Sequence, residues 1–287
     1  MTGFQKGARP IKSQTIRRHY QRYHTVDMTL EQYIERWRSW ITFSNQKTLL
    51  GLDNFVYADY TQGTSQSFDQ FVLHHAKHRI LAAFNGEFQY HACITKHLDF
   101  SWLSSVQDIT SQHALIISAP FSDLGCLLPE FDSVLQKCNT LNVPVCLDLA
   151  YWGISKNIQI DLDRYPCIEQ VTCSLSKPFY VLENHRVGIR FSRDYLNDGI
   201  SMINEVGMQN IHSMSLGVYF MDHFSCDWNW NEFEDQYNKI CQEYDIRKTD
   251  TVIFGTSSCD QYSEFFRGML NNYRLCVGHL LSDLPVE

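Results

Sequence analysis

Ser174-Leu-Ser-Lys177 follows six residues, Cys167 to Thr172, that read as a buried strand, so its lysine stands at the mouth of a sheet. A merely solvated charge is out of place there. An amine at such a position suits a nucleophile that forms a Schiff base with a carbonyl. Other reactive side chains fall at comparable places. Asp148 ends the apolar run that starts at Val143, Tyr151 comes three residues later, and Arg186 directly precedes the run Val187 to Phe191. A guanidinium is shaped for a two-pronged grip on phosphate oxygens. Thr61-Gln-Gly63-Thr64-Ser65 is a small-residue turn leading into a helical pattern at Phe68, Phe71 and Val72. Its free N–H groups at the positive end of a helix, with two hydroxyls, suit an anion. By itself such a turn is more often an ordinary helix start, since it has one glycine and no lysine.

The elements that must position these residues alternate. Thr29-Leu-Glu-Gln32 is a capping box, and Leu30, Tyr33, Ile34, Trp37 and Ile41 recur at helical spacing over 30–43. Residues 54–60 read as extended. Residues 114–119 are a continuous apolar run of the kind expected for a strand covered on both faces, broken by Pro120-Phe-Ser-Asp-Leu-Gly125. A helix over 129–141 and strands at 143–148, 167–172 and 187–191 follow. This alternation predicts an α/β fold, a mostly parallel sheet sandwiched by helices, with its chemistry at the carboxyl ends of the strands. Residues 224–231 read as an exposed loop or boundary. After them a helix over 233–244, a strand at 251–255, a helix over 260–270 and a strand at 273–277 make a small α+β lobe. The expected division is 1–45, an arm and helix joining the small lobe; 46–225, a large domain; and 226–287, a reduced small domain.

Composition excludes several function classes. The 287 residues are 44% hydrophobic and 14% aromatic, too rich for a disordered chain. The net charge of −8 gives no overall footprint for nucleic acid. Residues 1–26 are the exception: Lys6, Arg9, Lys12, Arg17, Arg18 and Arg22 stand there with no acid. Such an arm is expected to lie across an acidic partner subunit or in solvent. The ten cysteines include no C-x-x-C pair and no Cys/His spacing for zinc, so no metal is expected and a reducing, cytoplasmic location is. No apolar run approaches the roughly 20 residues of a membrane span, and no signal-peptide core opens the chain.

Gly63-Thr64, Asp148-Leu-Ala-Tyr151, Ser174-Leu-Ser-Lys177 and Arg186-Val-Gly188, in that order, resemble the active-site series of fold type I pyridoxal-phosphate-dependent enzymes. The resemblance is to the class I, aspartate aminotransferase-like family, and covers residues 55–192 with a looser tail. It implies that Lys177 holds pyridoxal 5′-phosphate as an internal aldimine and later shuttles the Cα proton, that Asp148 keeps the pyridine nitrogen protonated, and that Tyr151 hydrogen-bonds the ring 3′-oxygen. Gly63, Thr64, Ser65, Ser174 and Arg186 are implied as the phosphate cradle. An aromatic stacked on the ring is implied in the turn after the first helix of the large domain, Phe88 first and Tyr90 second. Tyr273-Arg274-Leu-Cys-Val-Gly278 resembles the segment whose arginine binds the substrate α-carboxylate. A homodimer with shared active sites is implied too, with an amino acid and a 2-oxo acid as small-molecule partners and neither nucleic acid nor membrane.

The chain departs from the family pattern at three places. Ser122, or Asp123, stands where the family has an asparagine touching the 3′-oxygen. Pro178 follows the lysine directly, and Lys177 to Arg186 is one residue longer than in the most similar subgroup. The small lobe is abbreviated, which bears on how it closes over a substrate. No second arginine at a family position reports on a preference for dicarboxylates. An aminotransferase is the leading expectation. A C–S lyase, decarboxylase or racemase keeps the same cofactor, and the reading from another class is a fold-retaining protein without turnover that binds the cofactor, or a partner, in a regulatory role.

Overall fold

The computed structural model describes residues 4–284. In chain order, α1 (Gln14–Arg22) and α2 (Leu30–Thr42) lead into the short strand β1 (Thr48–Leu50), then β2 (Tyr57–Thr61), α3 (Thr64–His75), β3 (Ile80–Phe84) and the short α4 (His91–Ile94). Next come β4 (Phe100–Leu103), β5 (His113–Ser118), α5 (Phe131–Leu141), β6 (Val145–Asp148), β7 (Gln159–Asp161), β8 (Ile168–Ser174) and β9 (Gly188–Ser192). The chain ends with α6 (Gly199–Glu205), α7 (Ile211–His223), α8 (Trp228–Glu243), β10 (Arg247–Lys248), β11 (Phe254–Ser257) and β12 (Tyr273–Cys276).

Seven strands form the main sheet, in the order β2-β9-β8-β6-β5-β3-β4. β8, β6, β5, β3 and β4 are parallel, as right-handed α/β crossovers require, and β9 is antiparallel to both of its neighbours. β5 and β6 are buried at every residue, which is why they read as unbroken apolar runs rather than alternating ones. This is the α/β architecture expected from the sequence. Because β2 opposes β9 and β9 opposes β8, β2 runs in the direction of β8. The carboxyl ends Thr61, Ser118, Asp148 and Ser174 therefore share one edge of the sheet. Gly188, the first residue of β9, pairs with both Thr61 and Ser174, so Arg186 reaches the same edge.

α2 starts at the capping box: Gln32 N–H donates to Thr29 Oγ1 at 3.3 Å and Thr29 N–H to Gln32 Oε1 at 3.0 Å. Its buried Tyr33, Trp37, Trp40 and Ile41 belong to the large hydrophobic cluster around the main sheet, and α2 packs against α7. This helix is expected to join the small lobe; its four buried side chains instead pack in the cluster around the main sheet. The arm splits instead, with Phe4 and Ile11 buried in a second cluster formed by α8, β11 and β12.

Two further elements differ from expectation. Residues 224–231 are not an exposed boundary. α8 begins at Trp228, and Asn229 and Trp230 are buried in it. The expected helix over 260–270 is a single 3-10 stretch, Asp260–Phe265, because the chain must then turn to bring Arg267 and Gly268 against the large domain. The small sheet β10-β11-β12 is antiparallel. A buried ion pair ties the two clusters, Lys47 Nζ to Asp227 Oδ1 at 2.8 Å, with Lys47 also donating to the carbonyls of Ser155 and Cys226.

Candidate active site

A cavity of about 290 Å³ opens over the shared sheet edge. Lys177, Asp148, Tyr151, Ser174, Arg186, Thr64, Ser65, Phe88, Ser122 and Arg274 all line it. These come from separate elements across both clusters. Their meeting is a product of the strand order, not of proximity in the chain.

Ser174 and Ser176 build the turn that lifts Lys177 off β8. The Ser176 N–H donates to Ser174 Oγ at 3.2 Å, and the two hydroxyls lie 3.0 Å apart. Lys177 Nζ donates to the carbonyl oxygen of Ala8 at 2.9 Å and lies 3.9 Å from Glu183 Oε1. Burial lowers its pKa, against the opposing pull of Glu183. A lysine with a lowered pKa has more of the free amine that attacks carbonyls.

Asp148 is 5% exposed. Its two oxygens accept from Ala150 N–H at 2.9 Å and from Gln89 Nε2 at 3.2 Å. Burial pushes its carboxyl up to about 7, because those two donors do not replace the water it has lost. Nearby, Glu87 is buried as well and accepts from Ser118 N–H at 2.8 Å and from Ser118 Oγ at 2.6 Å. Burial, and the proximity of Asp148, push it too to about 7. Asp148 in the cavity wall and Glu87 behind it thus have, among the described residues, no cationic side chain hydrogen-bonded to either.

At the opposite chemical pole, Gly63 adopts φ +78°, and a Cβ placed there would stand 2.7 Å from Nη2 of Arg186. Only glycine leaves room for the guanidinium to lie against this turn. Thr64 and Ser65, the first residues of α3, add the helix N-terminus to the same wall. Gly63 itself braces this wall rather than lining the cavity.

The two candidate ring-stacking aromatics separate. Phe88 lines the cavity and is 54% exposed. Tyr90 does not line it. Its ring stacks on His91 at 4.1 Å and packs beside Trp102 at 5.1 Å, so the turn carries it to the outer surface of β4. Of the pair Ser122 and Asp123, Ser122 lines the cavity, while Asp123 is buried behind it and accepts from Met269 N–H at 3.0 Å. Arg274 is fully buried: Nη1 donates to Ser122 O at 2.8 Å, Nη2 to Lys6 O at 2.6 Å, and Nε has no hydrogen-bond partner. Its guanidinium lies 4.2 Å over the Phe254 ring, which meets Tyr151 edge-on at 5.2 Å.

Sequence reasoning missed Gln89, Glu87, Ser118, Ser176 and Arg267. Glu87 and Gln89 flank Phe88 in a turn where polar residues look solvated, and nothing local says that the turn folds inward. The arm was misplaced as well. Its residues 5–9 lie over this chain's own cavity, where Gly7 and Ala8 line the wall and Gln5 bridges to Cys276. Among the described residues, no group of three or more His, Cys, Asp or Glu is placed to hold a metal ion, and no helix is long and apolar enough to cross a membrane.

No family model matches the sequence, and no curated protein matches it either. Solved structures do match in shape. The PLP-bound C–S lyase from Staphylococcus hominis superposes with a TM-score of 0.65 at 12% identity, over 93% of this chain and 83% of that one. The aspartate aminotransferase from Thermotoga maritima gives 0.65 at 12%, over 92% and 82%. The histidinol-phosphate aminotransferase from Clostridium acetobutylicum gives 0.62 at 11%, over 94% and 93%. The chain therefore has the fold type I, aspartate aminotransferase-like fold.

Proposed function

We propose that this protein is a pyridoxal-phosphate-dependent aminotransferase, moving an amino group between an amino acid and a 2-oxo acid. One observation carries the reading: Asp148 from β6, Lys177 and Arg186 from the β8–β9 connection and Arg274 from β12 line a single cavity. The residues fit the cofactor. Asp148 is a buried carboxylate with only amide donors, so a protonated ring nitrogen supplies the positive charge it lacks. The Gly63–Arg186 contact leaves a cradle that suits phosphate.

Bound there, the cofactor supplies an electron sink for the bond broken at the substrate Cα. This chain's residues do the rest. Lys177 Nζ anchors the cofactor and then moves the proton at the substrate Cα. Asp148 holds the proton on the ring nitrogen, and Tyr151 donates to the ring 3′-oxygen. Arg186, Thr64, Ser65, Ser174 and Ser176 orient the phosphate, and Phe88 covers the ring face. Arg274 fixes the substrate α-carboxylate and so decides which Cα bond is presented for cleavage. A homodimer belongs to the proposal, supported by Met202, Val206 and Met208, exposed on α6 and the turn after it. A cytoplasmic location rests on ten free cysteines.

The test is a spectral screen of the twenty amino acids on the yellow, cofactor-loaded protein. Conversion of the bound cofactor to its amine form, with release of a 2-oxo acid, supports the proposal. Release of ammonia and pyruvate together with the thiol or sulfide freed when Cβ–S is broken, from cysteine-type substrates, would instead make it a lyase, the activity named for one structural neighbour.

A further inference from the structure

Glu183 stands beside the amine on which the proposed function turns. It follows Lys177 by six residues, in the connection between β8 and β9, and the chain curls back there. Phe179 and Leu182 are buried in the core around the main sheet. Leu182 N–H donates to Phe179 O at 2.9 Å and Glu183 N–H to Tyr180 O at 3.1 Å, which closes a 3-10 turn. The turn returns Glu183 Oε1 to 3.9 Å from Lys177 Nζ. Among the described residues, no other carboxylate is within ion-pair distance of that amine.

The carboxylate is shared. The same oxygen lies 4.0 Å from Nη1 of Arg9, on the arm that also supplies the Ala8 carbonyl to Lys177. Arg9 is fastened through its backbone, whose N–H donates to Cys276 Sγ at 3.3 Å. One carboxylate oxygen thus stands between a cation that keeps its charge at every pH and a cation that must lose it. A lysine gives up its proton before its nitrogen lone pair can attack a carbonyl, whereas an arginine cannot be deprotonated. Glu183 favours the charged lysine, and Arg9 competes for the same oxygen. Burial is the largest influence on Lys177 and lowers its pKa; Glu183 and Cys276 act upward, Arg9 and Arg186 downward.

We propose that Glu183 is a positioning residue for Lys177: shared with Arg9, its carboxylate holds the ammonium against the arm and decides how readily that group becomes the free amine a carbonyl requires. This rests on the proposed function for the use made of the amine, and the experiment separates the two. Acetic anhydride acylates free amines only, so the rate of trace acetylation at Lys177, followed against pH by mass spectrometry of its peptide, reads the ionisation of this one lysine on cofactor-free protein. The midpoint of that profile reports charge, and the plateau at high pH reports access. Glu183→Gln should lower the midpoint by about half a pH unit or more, the size left after water screens a carboxylate whose side chain is 37% exposed. Below both midpoints that is about threefold faster labelling, with the plateau within about twofold. Glu183→Asp should recover part of the wild-type midpoint. Arg9→Gln should move the midpoint the other way, upward, because the carboxylate is then left to Lys177 alone. An unmoved midpoint in Glu183→Gln overturns the proposal, as does a downward shift in Arg9→Gln. A change confined to the plateau overturns it too, since Glu183 would then only shape access to the lysine. Failure of Lys177 to react with pyridoxal phosphate would sink the proposed function, while the acetylation midpoints still decide the role of Glu183.

Discussion

Lys177 Nζ donates a 2.9 Å hydrogen bond to the carbonyl oxygen of Ala8, a residue 169 positions earlier in the chain. The arm that supplies this carbonyl is pinned just before the contact. Gln5 and Cys276 exchange backbone hydrogen bonds of 3.0 and 3.4 Å, and Phe4 is buried among Tyr244, Tyr262 and Phe265. The same arm offers Lys6 O to Arg274. Backbone carbonyls thus satisfy two cationic groups that the proposed chemistry needs free. Phe4→Ala should loosen the arm, at a cost of about 3 kcal/mol to the small lobe. Reaction of Lys177 with pyridoxal phosphate, followed by stopped-flow absorbance, should become several-fold faster. An unchanged or slower rate would show that the arm does not restrain the lysine.

Lys177→Ala removes the amine and should leave a folded protein that no longer traps the cofactor. After incubation with pyridoxal phosphate and borohydride, mass spectrometry of the wild type should show one pyridoxyl group, on the Lys177 peptide. The variant should show none there. A label that stays at full stoichiometry on another lysine, such as Lys47 or Lys156, would remove the basis for the proposed function.

Much of the site was legible because its motifs fall at strand termini. β6, terminating at Asp148, is an apolar run whose last residue is polar, a signal that survives without any structure, and β8 runs directly into the Ser174-Leu-Ser-Lys177 motif. The sheet order then brings those ends together, as parallel topology requires. What could not be read depends on contacts over long stretches of chain. Glu87 looks like a solvated turn residue until Ser118, 31 residues on, closes over it. Arg267 follows an irregular segment, and only its packing on Gly86 and Asp123 turns it toward the cavity. Tyr90 and Phe88 are two residues apart in one turn, so direction rather than sequence decides which ring faces inward. α2 carried an apolar stripe with no indication of which core it would join.

The two buried carboxyls set a pH dependence of opposite sign to ordinary salt-bridged acids. Both Asp148 and Glu87 are raised to about 7 in the folded chain, above their unfolded values. The folded state therefore holds protons that the unfolded state has released. Stability from these groups is full below about pH 4 and is lost as the pH climbs through 7, by up to about 1.4 kcal/mol per pH unit per group. Urea unfolding of protein freed of cofactor should give a lower stability at pH 8 than at pH 5.5. In Glu87→Gln the slope should be roughly halved, because one titrating group is gone and Asp148 loses a like-charged neighbour. Identical slopes in the two proteins would mean that Glu87 does not titrate in this range.

A change at Gly63 tests the phosphate wall without substituting any charged residue. Its φ of +78° already disfavours a side chain, and an added Cβ would lie 2.7 Å from Arg186 Nη2 and 3.2 Å from its Cζ. The far end of an arginine can swing away, so Gly63→Ala should leave a folded chain in which the guanidinium has moved off the cradle. An alanine held at that φ would also be strained by about 1 kcal/mol or more, which thermal unfolding would register as a modest loss. The informative measurement compares pyridoxal phosphate with pyridoxal, which lacks the phosphate. Gly63→Ala should weaken the phosphorylated ligand by about tenfold or more, and the unphosphorylated one by no more than about twofold. Arg186→Ala should reproduce that selective loss, and combining the two changes should add little, because both remove the same contact. An equal loss for both ligands would place the effect on the ring or on Lys177, and the anion site would then have to lie elsewhere along the sheet edge.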